Sequence, residues 1–340
     1  MKKILIIRFS SIGDIVFTTP VIRCLKKRLP NTDIHFLTKP EYEIILKHNP
    51  YIDKLILLNK PLMHLLYELY QENYDIIVDL HNNLRSNLIK LLLWRNTFTV
   101  KKLSFLKWLL VHFKINFLPE KIHITDRNLA AIAALGIKDD DEGMNYFISP
   151  EDEVNISELG LKKEQYIAWV VGAKHFTKIY PAEKARIAIS QFLIKNPEYK
   201  IVLVGGTEDV SNANIILKET HSNIINLCGK LNLSQSASVI KQSALVISGD
   251  TGLLHIAVAL GKPVVSIWGG TVPEFGVFPK YNKYNQQPHA MIEHKSLFCR
   301  PCSRYGRPSC PKKHFRCMLE ISPFIIVEKT EFILKHTKTN

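Results

Sequence analysis

The stretch that most constrains this fold is residues 244–270, ALVISGDTGLLHIAVALGKPVVSIWGG. An apolar, β-branched run ends at a glycine-bounded loop, apolar residues then recur at helical spacing, and a second apolar run follows Pro263. This order predicts a strand, a tight loop, a helix and a strand. In the loop, Asp250 or Thr251 can cap the helix, and Gly252 lets backbone approach an anion at the helix N-terminus. An ordinary βαβ turn, in which Asp250 only caps, has the same pattern.

The alternation of apolar runs and helical segments extends along the whole chain. It is typical of parallel sheets with helices on both faces, and it predicts an α/β protein with two doubly wound domains. Pro20 should kink the first helix, 15–29, or mark its true first turn. The predicted strands are 3–8, 33–38, 54–58 and 75–80 in the first half, and 166–171, 200–204, 224–227, 244–248 and 264–268 in the second.

A polar span at 138–163 separates the two halves. We therefore predict a first Rossmann-like domain over 1–155 and a second over 156–322. The last segment, 323–340, reads as a helix that packs back on the first domain. No apolar run is long enough to cross a bilayer, and the N-terminus leads directly into a strand, so we expect a cytoplasmic protein.

The formal net charge of +14 predicts an anionic partner: nucleic acid, a membrane surface or a phosphorylated substrate. The segment 85–121 is the most basic part of the first half and is interleaved with aromatic and aliphatic residues. Such a segment fits contact with an anionic membrane surface, or amphipathic helices whose apolar faces are core. Its cations are Arg85, Lys90, Arg95, Lys101, Lys102, Lys107, Lys114 and Lys121, against the single acid Glu120.

Polar loops follow two of the first-half strands. The first is SSIGD at 10–14, which lacks the G-x-G-x-x-G fingerprint and so argues against a nicotinamide enzyme. The second carries His81, Asn82 and Arg85, which could bind sugar hydroxyls or an acidic group, or could simply form a turn. In open α/β sheets, ligands bind at the carboxyl ends of the strands, where both loops lie.

Two loops of the second half suit a nucleotide. Lys178 stands just before a helix that Pro181 opens, and it can neutralise a phosphate there. Glu208 follows two glycines and is suited to accept hydrogen bonds from a ribose diol.

The chain also contains two patterns that suggest a metal. Cys299 and Cys302 form a good half-site for zinc, but Cys310 and Cys317 are wider apart than a usual second pair. Structural zinc, reduced packed cysteines and redox chemistry remain open for this tail, while disulfides are disfavoured in a cytoplasmic chain. Asp139 and Asp141 spell D-x-D, but in an acidic linker, so we interpret them as a solvated turn.

Three motifs in chain order carry a family resemblance: SSIGD at 10–14, KIYP at 178–181 and DTGLLH at 250–255. With them the sequence resembles the ADP-heptose:lipopolysaccharide heptosyltransferases, glycosyltransferase family nine. The resemblance spans nearly the whole chain. It implies the GT-B fold, with two Rossmann-like domains facing a central cleft, the donor held mainly by the second domain and the acceptor by the first.

The resemblance also implies site roles. Asp14 matches the proposed catalytic base, Lys178 the donor-phosphate lysine, and Glu208 the nucleoside-binding acid. The acceptor-binding candidates are His81, Asn82 and Arg85. The donor-binding residues expected on this basis are Ser10, Ser11, Gly13, Thr177, Lys178, Glu208, Asp250, Thr251, Gly252 and His255.

The chemistry predicted from the resemblance is inverting transfer of heptose from ADP-heptose. A carboxylate takes the proton of the acceptor hydroxyl, and a lysine with helix N–H groups stabilises the leaving diphosphate without a metal cofactor. The implied acceptor is an anionic lipid-linked core oligosaccharide, which predicts transient contact with the cytoplasmic face of the inner membrane. We expect a monomer with no nucleic-acid partner.

Three alternatives stay open. Tyr180 stands where relatives often have Trp, and His175-Phe176 where small hydroxyl residues are common, so a GT-B enzyme using another nucleotide sugar is the nearest rival. A basic nucleic-acid-binding protein and a metal-binding scaffold built on the cysteine tail are more distant, since no nucleic-acid-binding signature is present.

Overall fold

The structure is a computed structural model that describes residues 2–120, 122–218 and 222–337. Lys121, counted in the basic segment, and residues 338–340 of the predicted last helix lie outside the described residues.

The first half of the chain alternates strands and helices as its apolar pattern predicts. Its five strands are β1 (Lys2–Ile7), β2 (Thr32–Thr38), β3 (Lys54–Leu57), β4 (Ile76–Asp79) and β5 (Asn96–Thr99). Its seven helices are α1 (Ile12–Val16), α2 (Thr19–Arg28), α3 (Glu43–Leu46), α4 (Leu62–Gln71), α5 (Leu84–Leu93), α6 (Ser104–Phe113) and α7 (Ile124–Ile132).

The second half repeats this plan. Its strands are β6 (Tyr166–Val170), β7 (Lys200–Val204), β8 (Ile224–Asn226), β9 (Leu245–Gly249), β10 (Val264–Trp268) and β11 (His289–Glu293). Its helices are α8 (Ala182–Lys195), α9 (Val210–Ile216), α10 (Leu233–Gln242), α11 (Gly252–Ala259), α12 (Arg316–Leu319) and α13 (Pro323–Thr337).

The chain divides into two compact units, each built on one sheet. The first unit comprises Met1–Leu103, Ile122–Phe147 and Asn282–Tyr284. The second comprises Ser104–Lys121, Ile148–Tyr281 and Asn285–Asn340, so α6 belongs to the second unit although it lies in the first half of the sequence. Leu110 and Val111 of α6 pack against Val272 and Phe275, which explains this assignment.

Both sheets are parallel throughout their described pairings, as predicted. The first has the order β3-β2-β1-β4-β5, and the second the order β11-β10-β9-β6-β7-β8. In the first sheet, β2 and β3 lie on one side of β1, and β4 and β5 lie on the other. In the second sheet, β7 and β8 lie on one side of β6, and β9, β10 and β11 lie on the other. The topological switch points therefore lie between β1 and β4 and between β6 and β9, where the loops after adjacent strands diverge and leave a crevice for a ligand.

Two edge strands, β5 and β11, are missing from the sequence prediction. β5 is four residues long with Phe98 as its apolar residue, and β11 exposes His289 and Met291, so neither contains a continuous buried apolar run. Local patterning detects buried strands far better than edge strands of this kind. Pro20 marks a first turn, as one of its two predicted interpretations requires: α1 ends at Val16 and α2 begins at Thr19.

The last helix packs differently from the prediction. α13 lies against α8, and Ile326, Val327, Ile333 and Leu334 are part of the buried core of the second unit. The apolar side chains of this helix are thus buried within the second unit. Within the described residues, no helix combines the length and the apolar character needed to cross a membrane.

Candidate active site

The second unit places a buried ion pair at its switch point. Lys178 ends the loop after β6, and Asp250 directly follows β9, the neighbouring strand. Lys178 Nζ lies 2.7 Å from Asp250 Oδ2. Thr271 Oγ1 donates to the same carboxylate oxygen at 2.8 Å, and His255 Nε2 lies 3.6 Å from Oδ1. Three residues predicted from the sequence, Lys178, Asp250 and His255, are therefore brought together. Thr271, which the sequence analysis did not predict, joins them.

The electrostatics keep this carboxylate ionised. Burial raises the pKa of Asp250, but the charge of Lys178 and the contact with His255 outweigh it and hold the pKa well below its ordinary value. A carboxylate with so low a pKa does not exchange protons near neutral pH. Asp250 therefore serves to hold Lys178 and the loop around it.

The helix that follows this loop begins as predicted. Thr251, not Asp250, is the N-cap of α11, because its Oγ1 accepts from Leu254 N at 3.2 Å. Ser248 and Thr251 also share a hydrogen bond between their hydroxyls at 3.0 Å. Gly252 is the first residue of the helix, so the N–H groups of this first turn are donors for an anion.

Close backbone packing joins three loops at this sheet edge. A Cβ on Gly249 would clash with the carbonyl oxygen of Lys178, and one on Gly269 would lie 2.6 Å from that of Thr177. Gly270 N donates to Thr177 O at 2.9 Å. Thr177 itself is buried, and its Oγ1 accepts from Arg307 N at 2.8 Å. This hydroxyl, predicted to bind donor, thus also anchors the tail.

Arg300 is a residue that the sequence analysis missed. Its guanidinium, 4% exposed, lies 2.9 Å from Glu293 Oε2. It donates to the carbonyl oxygens of Gly269 at 2.6 Å and Thr271 at 3.1 Å, and also to those of Trp268 and His294. Arg300 therefore fixes the loop that carries Thr271. One arginine in a basic tail has no local pattern that would reveal this.

The loop after β7 separates two neighbouring acids. Glu208, predicted to bind the nucleoside, is exposed. Asp209 is buried: its Oδ2 accepts from Gly206 N at 2.9 Å, and a Cβ on Gly172 would collide with its carboxylate. Burial raises the pKa of Asp209, an effect that the hydrogen bond from Gly206 opposes. Asp209 shapes the glycine-lined loop, and Glu208 stays available to a ligand.

The first unit places Asp14 at its own switch point. Asp14 Oδ2 lies 2.7 Å from Arg8 Nη2 and accepts from Ser11 Oγ at 3.1 Å. Arg8 is held in turn by the carbonyl oxygens of Ser10 at 2.7 Å and Leu80 at 2.6 Å. Burial raises the pKa of Asp14, but the charge of Arg8 and the hydrogen bonds from Ser11 leave it below its ordinary value. Gly13 is buried in the same turn of α1.

The neighbouring loop after β4 is organised by Asp79, which is fully buried. Its Oδ1 accepts from His81 N at 2.9 Å and Asn82 N at 2.7 Å, and its Oδ2 lies 2.8 Å from Lys90 Nζ. Asn82 has a positive φ of 49°, and its Nδ2 donates to Val100 O at 3.0 Å. Asn82 therefore stabilises this loop, whether or not it also contacts an acceptor.

Among the acceptor candidates, His81 has a ring nitrogen whose hydrogen bond is not satisfied. Its Nδ1 is buried and has no hydrogen-bond partner among the described residues. Burial lowers the pKa of His81 to about 4, assisted by the positive charges of Arg8 and Lys102. The imidazole is thus neutral near pH 7 and able to bond an uncharged hydroxyl. Arg85 is exposed on the first turn of α5.

The cysteine tail does not form a preassembled metal site. The four sulfurs and His314 line one recess, and Cys299 Sγ lies 3.8 Å from His314 Nε2. Among the described residues, however, the one group of three ligand atoms within 4.8 Å of one another is Cys24, Asp139 and Asp140. The tail residues as placed therefore do not fit tetrahedral zinc, whose sulfur ligands lie closer together.

All six cysteines lie in the described part of the chain, and none forms a disulfide. Burial raises the pKa of Cys317 to about 12. In the acidic linker, Asp140, the middle residue of D-x-D, is paired with Arg23 at 2.7 Å, and Asp141 lies 2.9 Å from Lys283 Nζ.

Fold and site together define the class of protein. Two doubly wound parallel sheets, with a lysine and a helix N-terminus at the switch point of the second, are typical of GT-B glycosyltransferases. A family model described as glycosyltransferase family 9 (heptosyltransferase) matches residues 62–305. The chain belongs to this family, and it is a glycosyltransferase.

Individual relatives agree with the family. The chain is 29% identical to lipopolysaccharide heptosyltransferase 1 of Campylobacter coli over 79% of its own length and 84% of the relative's. It superposes on the crystal structure of a family 9 glycosyl transferase from Veillonella parvula with a TM-score of 0.79, at 21% identity and 98% coverage of both chains. With E. coli ADP-heptose heptosyltransferase II the TM-score is 0.75, at 20% identity, covering 99% of this chain and 100% of the other. The GT-B fold predicted from the sequence is confirmed.

Proposed function

We propose that this glycosyltransferase transfers heptose from ADP-heptose to a lipid-linked inner-core acceptor of lipopolysaccharide, with inversion at the anomeric carbon. The observation that carries the proposal is the Lys178–Asp250 pair beside the N-terminus of α11. Two of the proteins that the chain resembles, lipopolysaccharide heptosyltransferase 1 and ADP-heptose heptosyltransferase II, suggest the sugar and the acceptor class.

The second unit is proposed to hold the donor. Lys178 and the N–H groups of Gly252 and Leu253 in the first turn of α11 bond the diphosphate and stabilise the negative charge that it gains as the sugar leaves. The positive charge that stabilises the diphosphate comes from the chain itself, so the proposed reaction requires no divalent ion. Glu208 bonds the ribose, while Thr177 and His255 line the same loops.

Asp14 is the proposed base. Because Arg8 and Ser11 keep its pKa low, the carboxylate is ionised at neutral pH and ready to accept a proton. A base this weak takes the proton as the new glycosidic bond forms, when the acceptor hydroxyl becomes acidic. His81, Asn82 and Arg85 are proposed to bind the acceptor, and Ser10, Ser11 and Gly13 to bind donor groups near Asp14. We propose a monomer that works at the cytoplasmic face of the inner membrane.

Another nucleotide sugar is not favoured by the residues that first suggested it. Tyr180 is buried in the core of the second unit, and its hydroxyl donates to Ile321 O at 3.0 Å. Phe176 packs on Phe315 with ring centroids 4.6 Å apart. Both departures from the family pattern are thus accommodated by packing within the second unit.

The experiment is calorimetric titration of the purified chain with ADP and with UDP, without added metal. We expect ADP to bind more tightly than UDP, and Lys178→Ala to weaken ADP binding about tenfold or more, since a charge-assisted phosphate contact is lost. Lys174→Ala, at an exposed lysine of the same loop, is the matched control and should leave binding unchanged. Preference for UDP would overturn the donor assignment.

The base is tested separately by transfer from ADP-heptose to a deacylated core acceptor. Asp14→Asn should bind ADP normally and lose at least about 10²-fold in turnover. Near-normal turnover of that variant would show that another group takes the proton.

A further inference from the structure

Helices α4 and α5 of the first unit expose apolar side chains along their outer sides. The two helices contact each other and share one buried core. On α5, Leu84, Leu88 and Leu91 recur with a spacing of four and three residues, which places them on one side of the helix. On α4, Met63, Tyr67 and Tyr70 have the same spacing. We call these six residues the α4–α5 face.

The exposure of this face is large. Leu84 is 90% exposed, Leu91 64% and Met63 74%. On the opposite side of α5, Ile89 and Leu93 are buried in the core, so the helix is apolar on two sides. Helices of this kind are normally covered, and scattered single exposed leucines are common whereas aligned rows are not. The α4–α5 face therefore requires an apolar partner.

The acid within α4, Glu68, is paired with Lys60 at 2.9 Å, and the exposed charges at the two ends of α5 are positive. Residues 80–103 contain no Asp or Glu, and Arg85 and Arg95 are exposed at the two ends of α5. Lys90 does not add to this field because it is paired with buried Asp79 at 2.8 Å. Trp94, 85% exposed, closes the helix at its C-terminal end. Leucine, tyrosine and tryptophan rimmed by arginine are typical of segments that lie in the headgroup region of a bilayer.

We propose that the α4–α5 face docks on the surface of an anionic lipid bilayer. The leucines enter the boundary of the acyl chains, while Arg85 and Arg95 contact phosphate groups. α5 begins immediately after the loop that carries His81 and Asn82, the candidate acceptor residues. Docking would therefore present that loop to a sugar whose lipid anchor is in the membrane. This consequence of docking rests on the proposed function.

A second copy of this chain is a poorer occupant. A symmetric contact through the same face would bring the arginines of both copies into one interface, where the acid of α4, Glu68, is already paired with Lys60. The charge on the face instead complements an anionic lipid surface.

The docking surface is narrower than the basic segment 85–121 that the sequence indicated. Lys114 belongs to the second unit and is internal there: its Nζ donates to Val111 O and Pro301 O, both at 2.7 Å. Met63, Tyr67 and Tyr70 lie outside the segment altogether, since only the packing of α4 against α5 adds them.

The test is co-sedimentation of the full chain with vesicles of phosphatidylethanolamine and phosphatidylglycerol, beside vesicles of phosphatidylcholine alone. We expect binding to the anionic vesicles that weakens with salt. The double variant Leu84→Ser/Leu91→Ser should weaken it at least about tenfold, because two exposed leucines no longer insert. Ile194→Ser, at a 73% exposed position on α8 in the second unit, is the matched control and should bind like the wild type.

The charge contribution is measured with Arg85→Gln/Arg95→Gln, which should reduce both the affinity and its salt dependence. Equal vesicle binding by the leucine variant and the wild type, or no binding by the wild type, would overturn the docking surface. So would a concentration-dependent dimer that the leucine variant abolishes. Activity on a deacylated, water-soluble acceptor should be the same in the leucine variant and the wild type; its absence in both would refute the proposed function without touching the docking result.

Discussion

Lys178 and Asp250 are 2.7 Å apart at the switch point of the second sheet, although 72 positions separate them in the chain, as the difference of their numbers shows. The pairing depends on sheet order: β6 and β9 are neighbours, so the loops that follow them start at the same edge. Thr271 adds a third loop to the arrangement through its hydrogen bond to Asp250. The proposed donor-binding region thus consists of three chain segments held around one carboxylate.

The first prediction concerns Asp250. Asp250→Asn removes the charge that orients Lys178 while keeping an acceptor for Thr271. We expect ADP affinity to change little, because Lys178 keeps its charge, and kcat to fall about tenfold or more because the lysine is no longer held in place. Calorimetry and steady-state kinetics measure the two effects. A parallel loss of both would mean that Asp250 contributes equally to ground-state binding.

The second prediction concerns Thr271, a buried residue outside the family motifs. Thr271→Val removes its hydrogen bond to the Asp250 carboxylate at nearly constant volume. We expect a loss of about 1–2 kcal/mol in the free energy of unfolding and a rise in donor KM. Thr271→Ser keeps the hydroxyl and is the control. If Ser and Val variants behaved alike, the hydrogen bond would be irrelevant to the donor loop.

The third prediction concerns Arg300. Arg300→Met leaves buried Glu293 without its cation and four carbonyl oxygens without their donor. We expect the free energy of unfolding to fall by about 3–5 kcal/mol, as for other broken buried pairs. The stability of Arg300→Lys should lie between those of the wild type and Arg300→Met. Urea denaturation measures this. Arg316→Lys, at an exposed arginine paired with Glu320, is the comparison and should leave the stability nearly unchanged.

The fourth prediction is a pH dependence from His81. Its folded-state pKa is about 4, below the usual 6.5, because burial disfavours the charged ring. The unfolded chain therefore binds this proton first as the pH falls, and the stability from the neutral ring is lost between about pH 6.5 and 4. Between pH 7 and 4.5 we expect His81→Gln to lose about 1–2 kcal/mol less than the wild type.

The control for this comparison is His289→Gln, at an exposed histidine of the second unit, which should follow the wild-type profile. Identical pH profiles for His81→Gln and the wild type would show that the His81 ring is accessible to protons in the folded chain.

Much of the fold was predictable because local sequence patterns determine where its strands and helices form. The bounds predicted for β7 and β10 agree with the structure to the residue, since continuous apolar runs coincide there with burial. Edge strand β5 could not be found in this way, because half of its residues are exposed and its pairing with β4 is a long-range choice.

The candidate site divides along the same line. The sequence by itself determined the parallel α/β plan, the N-terminus of α11 and the residue types proposed to bind a diphosphate, because strand burial, capping and glycine turns depend on near neighbours. Tertiary structure alone decided that Thr271 completes the Lys178–Asp250 pair and that Arg300 holds its loop. It also decided that α13 packs on α8 and that the α4–α5 face is left uncovered. These contacts join segments distant in the chain, and their free energy depends on which surfaces the assembled sheets bury, which no local pattern specifies.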